Sequence, residues 1–363
     1  MSQYFMPTKV YWGKKCLDKS AELIAGIGNK PMIITGKRSA QLSGALIDLL
    51  EVLKKNNQDY YHFPWIEENP ELAIIHEGAE LFREHKCDFL IGIGGGSPID
   101  AAKAISVIVA NKLRGREIYE GDKIKHALPI IAVPTTSGTG TEVTPYSVIS
   151  DQEIKKKAGF GNPLIFPLIS FCDPEYTYSL PKQVTIDTAL DALSHLLEGI
   201  YSRKRCDFLD PLIFSGIKLI IENLEPVITY PREYQYREKL MRASLYGGFV
   251  IAQAGTTLQH SIGYPLTTHY GLSHGMANGV VMKEMMNLFS SDIIEDLNSL
   301  FSFLKLTRDQ FYLWLDKWIP ESRLDLPEDF IIKATDEIMG SRNMAQNPRE
   351  VSSEEVKSIL KKL

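Results

Sequence analysis

Cysteine is scarce in this chain. Four residues (Cys16, Cys87, Cys172 and Cys206) are scattered over 363 positions with no C-x-x-C pair, which excludes a disulfide framework and fits a reducing, cytoplasmic location. Long apolar runs are also missing. Stretches such as Ala104–Ala110 and Leu245–Ala252 fall well short of the ~18 residues needed to span a bilayer. The first thirteen residues contain no apolar core of the kind a signal peptide needs. Positive charge is not in excess either. A net charge of −5 argues against a nucleic-acid-binding surface, which requires positive potential. Glycine (26) and proline (19) are at ordinary levels, so collagen-like and low-complexity chains are excluded. A 44% hydrophobic share is enough to bury a core and offset ordering entropy. At ~150 residues per domain, the length predicts two domains.

Short β-branched runs alternate with longer amphipathic segments in the first half. Met32–Thr35, Tyr60–Phe63, Phe89–Ile93 and Pro129–Val133 read as strands. Ser39–Lys55, Pro70–Lys86 and Pro98–Asn111 read as the helices between them. That alternation predicts an α/β domain, a parallel sheet covered by helices, with ligands beyond the carboxyl ends of its strands. From about Pro181 onward the strand-like runs stop. Thr185–Tyr201, Leu209–Glu222, Arg232–Gln253, the region of His260 and Gly279–Phe289 all carry helical periodicity. The expected division is an α/β domain over 1–180 and an all-α domain over 181–363.

Two glycine-rich loops each follow a strand. In the first, Gly94-Gly95-Gly96-Ser97-Pro98, the glycines let backbone approach a ligand, and the helix that follows offers free N–H groups to an anion such as a pyrophosphate. It matches neither G-x-G-x-x-G nor a P-loop, and by itself it reads equally as a tight turn. The second, from Pro134 to Glu142, can share a nucleotide with it.

Asp191 and His195 lie four apart on a predicted helix and therefore on one face, where both can ligate one ion. His260 and His274 can join them from other helices. One carboxylate with three imidazoles suits Fe2+ or Zn2+ rather than Ca2+ or Mg2+. The same spacing is also met in buried core pairs and caps, so it leaves both readings open. His62, His76, His85 and His126 have no partner at ligand spacing and read as structural.

Taken in order, GGGSPID (94–100), PTTSGTGTEVTP (134–145), DALSHLLEG (191–199) and HSIGYPLTTHYGLSHG (260–275) closely resemble the iron-containing, metal-dependent alcohol dehydrogenase family. The resemblance covers nearly the whole chain and is weakest beyond about Leu300. It implies a dinucleotide-binding domain, a helical metal-binding domain and catalysis where the two meet. Asp191, His195, His260 and His274 match the metal ligands. Gly95, Gly96, Ser97 and Asp100 match the pyrophosphate loop, Thr135, Thr136 and Thr139 positions beside the nucleotide, and Lys157 a lysine near the nicotinamide ribose. Tyr146 and Val148, after the threonine-rich loop, are expected to line the substrate pocket.

Two departures stand out. Many members carry a second histidine four residues after the one matching His260. Tyr264 occupies that position here, so Tyr264, His269 or a water chain is expected to relay the proton. Members preferring NAD(H) often have an Asp after the first strand. Here Gly36 stands there, followed by Lys37, Arg38 and Ser39, which removes repulsion of a 2′-phosphate and predicts a preference for NADP(H). The expected protein is a cytoplasmic homodimer acting on a small alcohol or aldehyde, with Fe2+ in preference to Zn2+. A metal-dependent lyase or synthase related to dehydroquinate synthase is the alternative on the same fold.

Overall fold

The computed structural model describes residues 3–151, 153, 156–319 and 324–363, with the backbone alone at 156 and 157. Two compact units emerge. One comprises Met6–Pro181 with Thr229–Met241; the other comprises Lys182–Ile228 and Arg242–Leu363 with the first five residues.

The first unit is built on β1 (Lys9–Trp12), β2 (Pro31–Thr35), β3 (Tyr61–Phe63), β4 (Phe89–Gly94), β5 (Ile130–Pro134) and β8 (Ile169–Cys172). These pair in the order β1-β8-β5-β4-β2-β3, and every pairing is parallel. β2, β4, β5 and β8 are buried at every residue, which is what a sheet covered on both faces demands. Alternate side chains feed two separate cores. Met32, Ile34, Leu90 and Ile130 pack with Phe63, Ile75, Phe82 and Ile105. Ile33, Ile91, Ile131 and Val133 pack on the other face with Leu49, Val52, Leu53 and Phe171.

The chain runs outward from β2 to β3, then returns to the other side of β2 for β4 and β5. Strand order therefore reverses between β2 and β4, and the crevice beyond their carboxyl ends is where such sheets bind ligands. Thr35 pairs with Ile93, which brings Gly36 and the Gly94–Gly96 turn to the same crevice.

Several elements differ from the sequence-based expectation. The helix expected over Ser39–Lys55 is two helices, Ser39–Leu42 and Ala45–Lys55, because Gly44 takes a left-handed conformation (φ 85°) that breaks the hydrogen-bond ladder. β1 and β8 were not anticipated; Lys9 and Ser170 interrupt their few apolar residues. A second sheet, β6 (Tyr146–Asp151) with β7 (Lys156–Gly161), is an antiparallel hairpin.

The second unit is helical. Lys182–Tyr201, Leu258–Tyr270, His274–Val280 and Met282–Leu288 are the helices that bear on the site. The helix expected over Gly279–Phe289 is instead the last two of these, with Val281 between them. No described helix is long and apolar enough to cross a membrane. All four cysteines are free thiols.

Candidate metal centre and nucleotide loops

Asp191, His195 and Glu198 lie at i, i+4 and i+7 of the helix Lys182–Tyr201 and share one buried face. The helix Leu258–Tyr270 supplies His260 and ends at Gly271, whose left-handed conformation (φ 66°) turns the chain so that His274 begins the next helix. Asp191 Oδ1 is thereby 3.8 Å from His195 Nε2, 3.9 Å from His260 Nε2 and 3.7 Å from His274 Nε2. Ligand atoms of Asp191, His195 and His260 lie within 4.8 Å of one another. A tetrahedron with metal–ligand bonds of ~2.1 Å has edges of ~3.4 Å, so each imidazole nitrogen stands only a few tenths of an ångström beyond that spacing from Asp191 Oδ1. Asp191, His195 and His260 form the compact donor set, His274 joins it through Asp191, and one carboxylate with imidazoles fits a divalent metal in its chemistry. His274 is the most accessible, its side chain 26% exposed against 3–5% for the others.

Burial alone would raise the Asp191 pKa. The imidazoles of His195, His274 and His260, together with the Asn278 amide, outweigh it and hold the carboxyl below its ordinary range. Glu198 is fully buried and directs His260. Its Oε2 meets His260 Nδ1, and its Oε1 accepts from Thr257 N at 2.6 Å and Thr257 Oγ1 at 2.8 Å. With Nδ1 bound to a carboxylate, the proton sits there and Nε2 presents its lone pair to the ion. The sequence reading passed over Glu198, although its heptad spacing from Asp191 put it on the same helix face.

Tyr264, one turn after His260, stacks on the His274 ring (5.8 Å, 9°) and meets His260 edge-on (6.3 Å). His269 is not brought to the cluster. Nine residues at 100° each carry it to the opposite side of the helix from His260. There its Nε2 lies 3.9 Å from Glu337 and its ring meets Phe330 edge-on.

In the first unit the two glycine-rich loops meet. Thr135 N donates to Gly94 O (2.8 Å). A Cβ on Gly95 would stand 3.2 Å from Thr136 Cγ2, and one on Gly96 would stand 3.0 Å from Thr139 Cγ2. Gly94 has φ 152° and lies against the Pro98 ring, where a Cβ would come within 2.6 Å. Gly96 and Ser97 open the helix Gly96–Asn111, so the first-turn N–H groups face the crevice. Thr135 Oγ1 and Ser137 Oγ are buried without hydrogen-bond partners among the described residues. The second loop thus carries hydroxyls that its own chain does not satisfy, as a ligand-binding loop would.

Asp100 is turned inward. Its Oδ1 accepts from Thr141 Oγ1 (2.5 Å) and its Oδ2 from Val148 N (3.0 Å), so it ties the second loop and β6 to the helix rather than facing the crevice. Tyr146 and Val148 share the half-exposed face of β6. Lys155 lies outside the described residues, and for Lys157 only the β7 backbone is described, so its side chain is not placed. Gly36 has reason to be glycine: a Cβ there would stand 3.2 Å from Ile66 O. Lys37 Nζ pairs with Glu67 at 2.6 Å.

Beneath the second loop lie two buried titratable groups that motif reading did not reveal, Lys103 and Glu142. Lys103 Nζ donates to the carbonyls of Thr141 (2.6 Å), Tyr146 (2.7 Å) and Thr144 (3.0 Å). Burial lowers its pKa to about 8. Burial likewise pushes the Glu142 carboxyl up to about 7, against the partial opposition of its own backbone N–H and of Lys103. A folded pKa above the ordinary value near 4.5 makes the stability from this group complete below pH 4.5 and lost as pH rises through 7. Glu142→Gln, which cannot ionise, is expected to gain up to about 3 kcal/mol relative to the parent between pH 5 and pH 8. Urea unfolding at the two pH values checks this; equal pH dependence in both proteins would refute it.

The family model described as iron-containing alcohol dehydrogenase matches residues 7–174, and the model of the C-terminal part of that family matches residues 185–310. The chain belongs to the iron-containing alcohol dehydrogenase family. The associated activity is alcohol dehydrogenation, an oxidoreductase chemistry.

Among relatives within the family, an NAD-dependent methanol dehydrogenase of Bacillus methanolicus is 30% identical over 283 residues, covering 78% of this chain and 74% of that one. An NADPH-dependent butanol dehydrogenase of Clostridium saccharobutylicum is 26% identical over 381 residues, covering 99% and 97%. The crystal structure of an iron-containing alcohol dehydrogenase from Thermotoga maritima superposes with a TM-score of 0.93 at 35% identity, covering 100% and 99%. Membership explains why the motifs occur in this order; the distances above show what they build.

Proposed function

We propose that this alcohol dehydrogenase interconverts small primary alcohols and aldehydes with NADP(H) in preference to NAD(H), as a cytoplasmic homodimer that takes Fe2+ rather than Zn2+. The observation that carries the metal reading is one carboxylate oxygen 3.7–3.9 Å from three imidazole nitrogens. A divalent ion held by Asp191, His195, His260 and His274 supplies Lewis acidity toward the alcohol or aldehyde oxygen.

The remaining work falls to the chain. Glu198 keeps His260 in the tautomer that offers Nε2. Gly95, Gly96 and Ser97, at a helix N-terminus, receive the pyrophosphate, with Thr135, Thr136 and Thr139 opposite. Lys157 is assigned to the nicotinamide ribose, and Tyr146 and Val148 to the substrate pocket. Hydride transfer between the substrate carbon and nicotinamide then depends on orientation and exclusion of water. The Tyr264 hydroxyl is assigned to carry the alcohol proton, since its ring lies against His274, the ligand open to solvent. Tyr264→Phe is expected to lower kcat by about tenfold to a hundredfold and shift its pH profile with metal content unchanged. An unaltered profile would refute the assignment.

Gly36 and Ser39 support the NADP(H) preference because neither puts a carboxylate on the turn after β2, and the nearby Glu67 is paired with Lys37. Purification without oxygen, metal analysis and an aldehyde panel with both cofactors test the whole reading. The expected ratio of kcat/KM for NADPH over NADH exceeds one, and a ratio below one defeats the cofactor preference.

A further inference from the structure

Asn278 lies one turn after His274 on the helix His274–Val280 and is fully buried. Its Nδ2 is 3.3 Å from Asp191 Oδ1, 3.2 Å from His260 Nε2 and 3.4 Å from His274 Nε2. These are three of the four atoms assigned to the ion. Nδ2 donates to the Asp191 carboxylate and its edge faces the two imidazoles; the reversed amide would set Oδ1 against the carboxylate. On the far side Oδ1 lies against Gly263, where a Cβ would come within 2.2 Å, and Gln259 Nε2 holds the Asn278 carbonyl at 2.9 Å.

We infer that Asn278 is a positioning residue of the metal centre. Its Nδ2 donates to Asp191 Oδ1 and lies against the Nε2 edges of His260 and His274, so it sets the carboxylate and both rings in place before the ion enters. The inference deepens the four-ligand reading and rests on it.

Titration of Co2+ into the metal-free protein, in competition with a chelator, tests this without reference to turnover. Asn278→Ala is expected to bind Co2+ about 10–100-fold more weakly. Asn278→Leu, of similar shape and without a donor, is expected to keep the parental Tm and yet show the same loss of affinity. A variant of either kind with parental Co2+ affinity would overturn the inference. Asn278→Ser serves in the same comparison if the alanine chain fails to fold. If the parent protein itself gives no Co2+ spectrum of nitrogen and oxygen ligation, the four-ligand reading fails first, and the two failures are thereby distinguished.

Discussion

Replacing Asp191 by alanine is expected to empty the metal centre and reduce kcat/KM by about a thousandfold or more, which corresponds to roughly 4 kcal/mol of lost transition-state stabilisation. Asp191 contributes the only negative charge among the four proposed ligands, and its Oδ1 is the point from which all three imidazole nitrogens are 3.7–3.9 Å away. The three rings left behind would leave the divalent charge unbalanced and lose the oxygen that lies between them, which weakens metal binding here. The metal-free variant should still fold, since removing the carboxylate also removes a buried charge that is costly when unpaired. Metal analysis after dialysis, circular dichroism and steady-state kinetics decide the matter together. Full metal content with full turnover in Asp191→Ala would place the catalytic ion elsewhere.

Gly275→Ala is expected to be the most damaging single methyl addition near the centre. A Cβ there would lie 1.7 Å from Asp187 O, a backbone atom of the helix that carries Asp191 and His195. No rotamer change relieves a collision with main chain, so the helix beginning at His274 must back away, taking one ligand with it. A cost of about 3 kcal/mol or more follows, read as an apparent Tm lower by roughly 5–10 °C, with metal content reduced in proportion. Gly271→Ala is the contrasting control. It has φ 66° but nothing within 4 Å, so it incurs only backbone strain of about 1 kcal/mol and should retain metal. Equal effects from both substitutions would show that helix packing against Asp187 does not set the ligand geometry.

The parts legible in the chain were those governed by local periodicity. β2, β4 and β5 announced themselves as short apolar runs, because strands covered on both faces have no polar side to show. The pairing of Asp191 with His195 followed from 3.6 residues per turn. β1 and β8 escaped notice because Lys9 and Ser170 break up their few apolar residues, and the break at Gly44 was hidden inside a continuous amphipathic repeat. Asp100, Lys37 and His269 were each legible as polar residues in suggestive places. Their partners Thr141, Glu67 and Glu337 lie thirty or more positions away, and no local pattern connects them.

By itself the sequence determined an α/β sheet followed by helices, a glycine-rich turn at the end of β4, and an acid and an imidazole on one helix face. These are consequences of backbone geometry acting over a few residues. Only the tertiary structure decided that His260 and His274, out of eight histidines, converge on the Asp191 oxygen, that Glu198 and Asn278 hold them there, and that His269 faces the other way. Convergence depends on how helices distant in sequence pack, which is set by where a glycine permits close approach and by which buried polar groups find partners. Those conditions are met in three dimensions and leave no period in the chain.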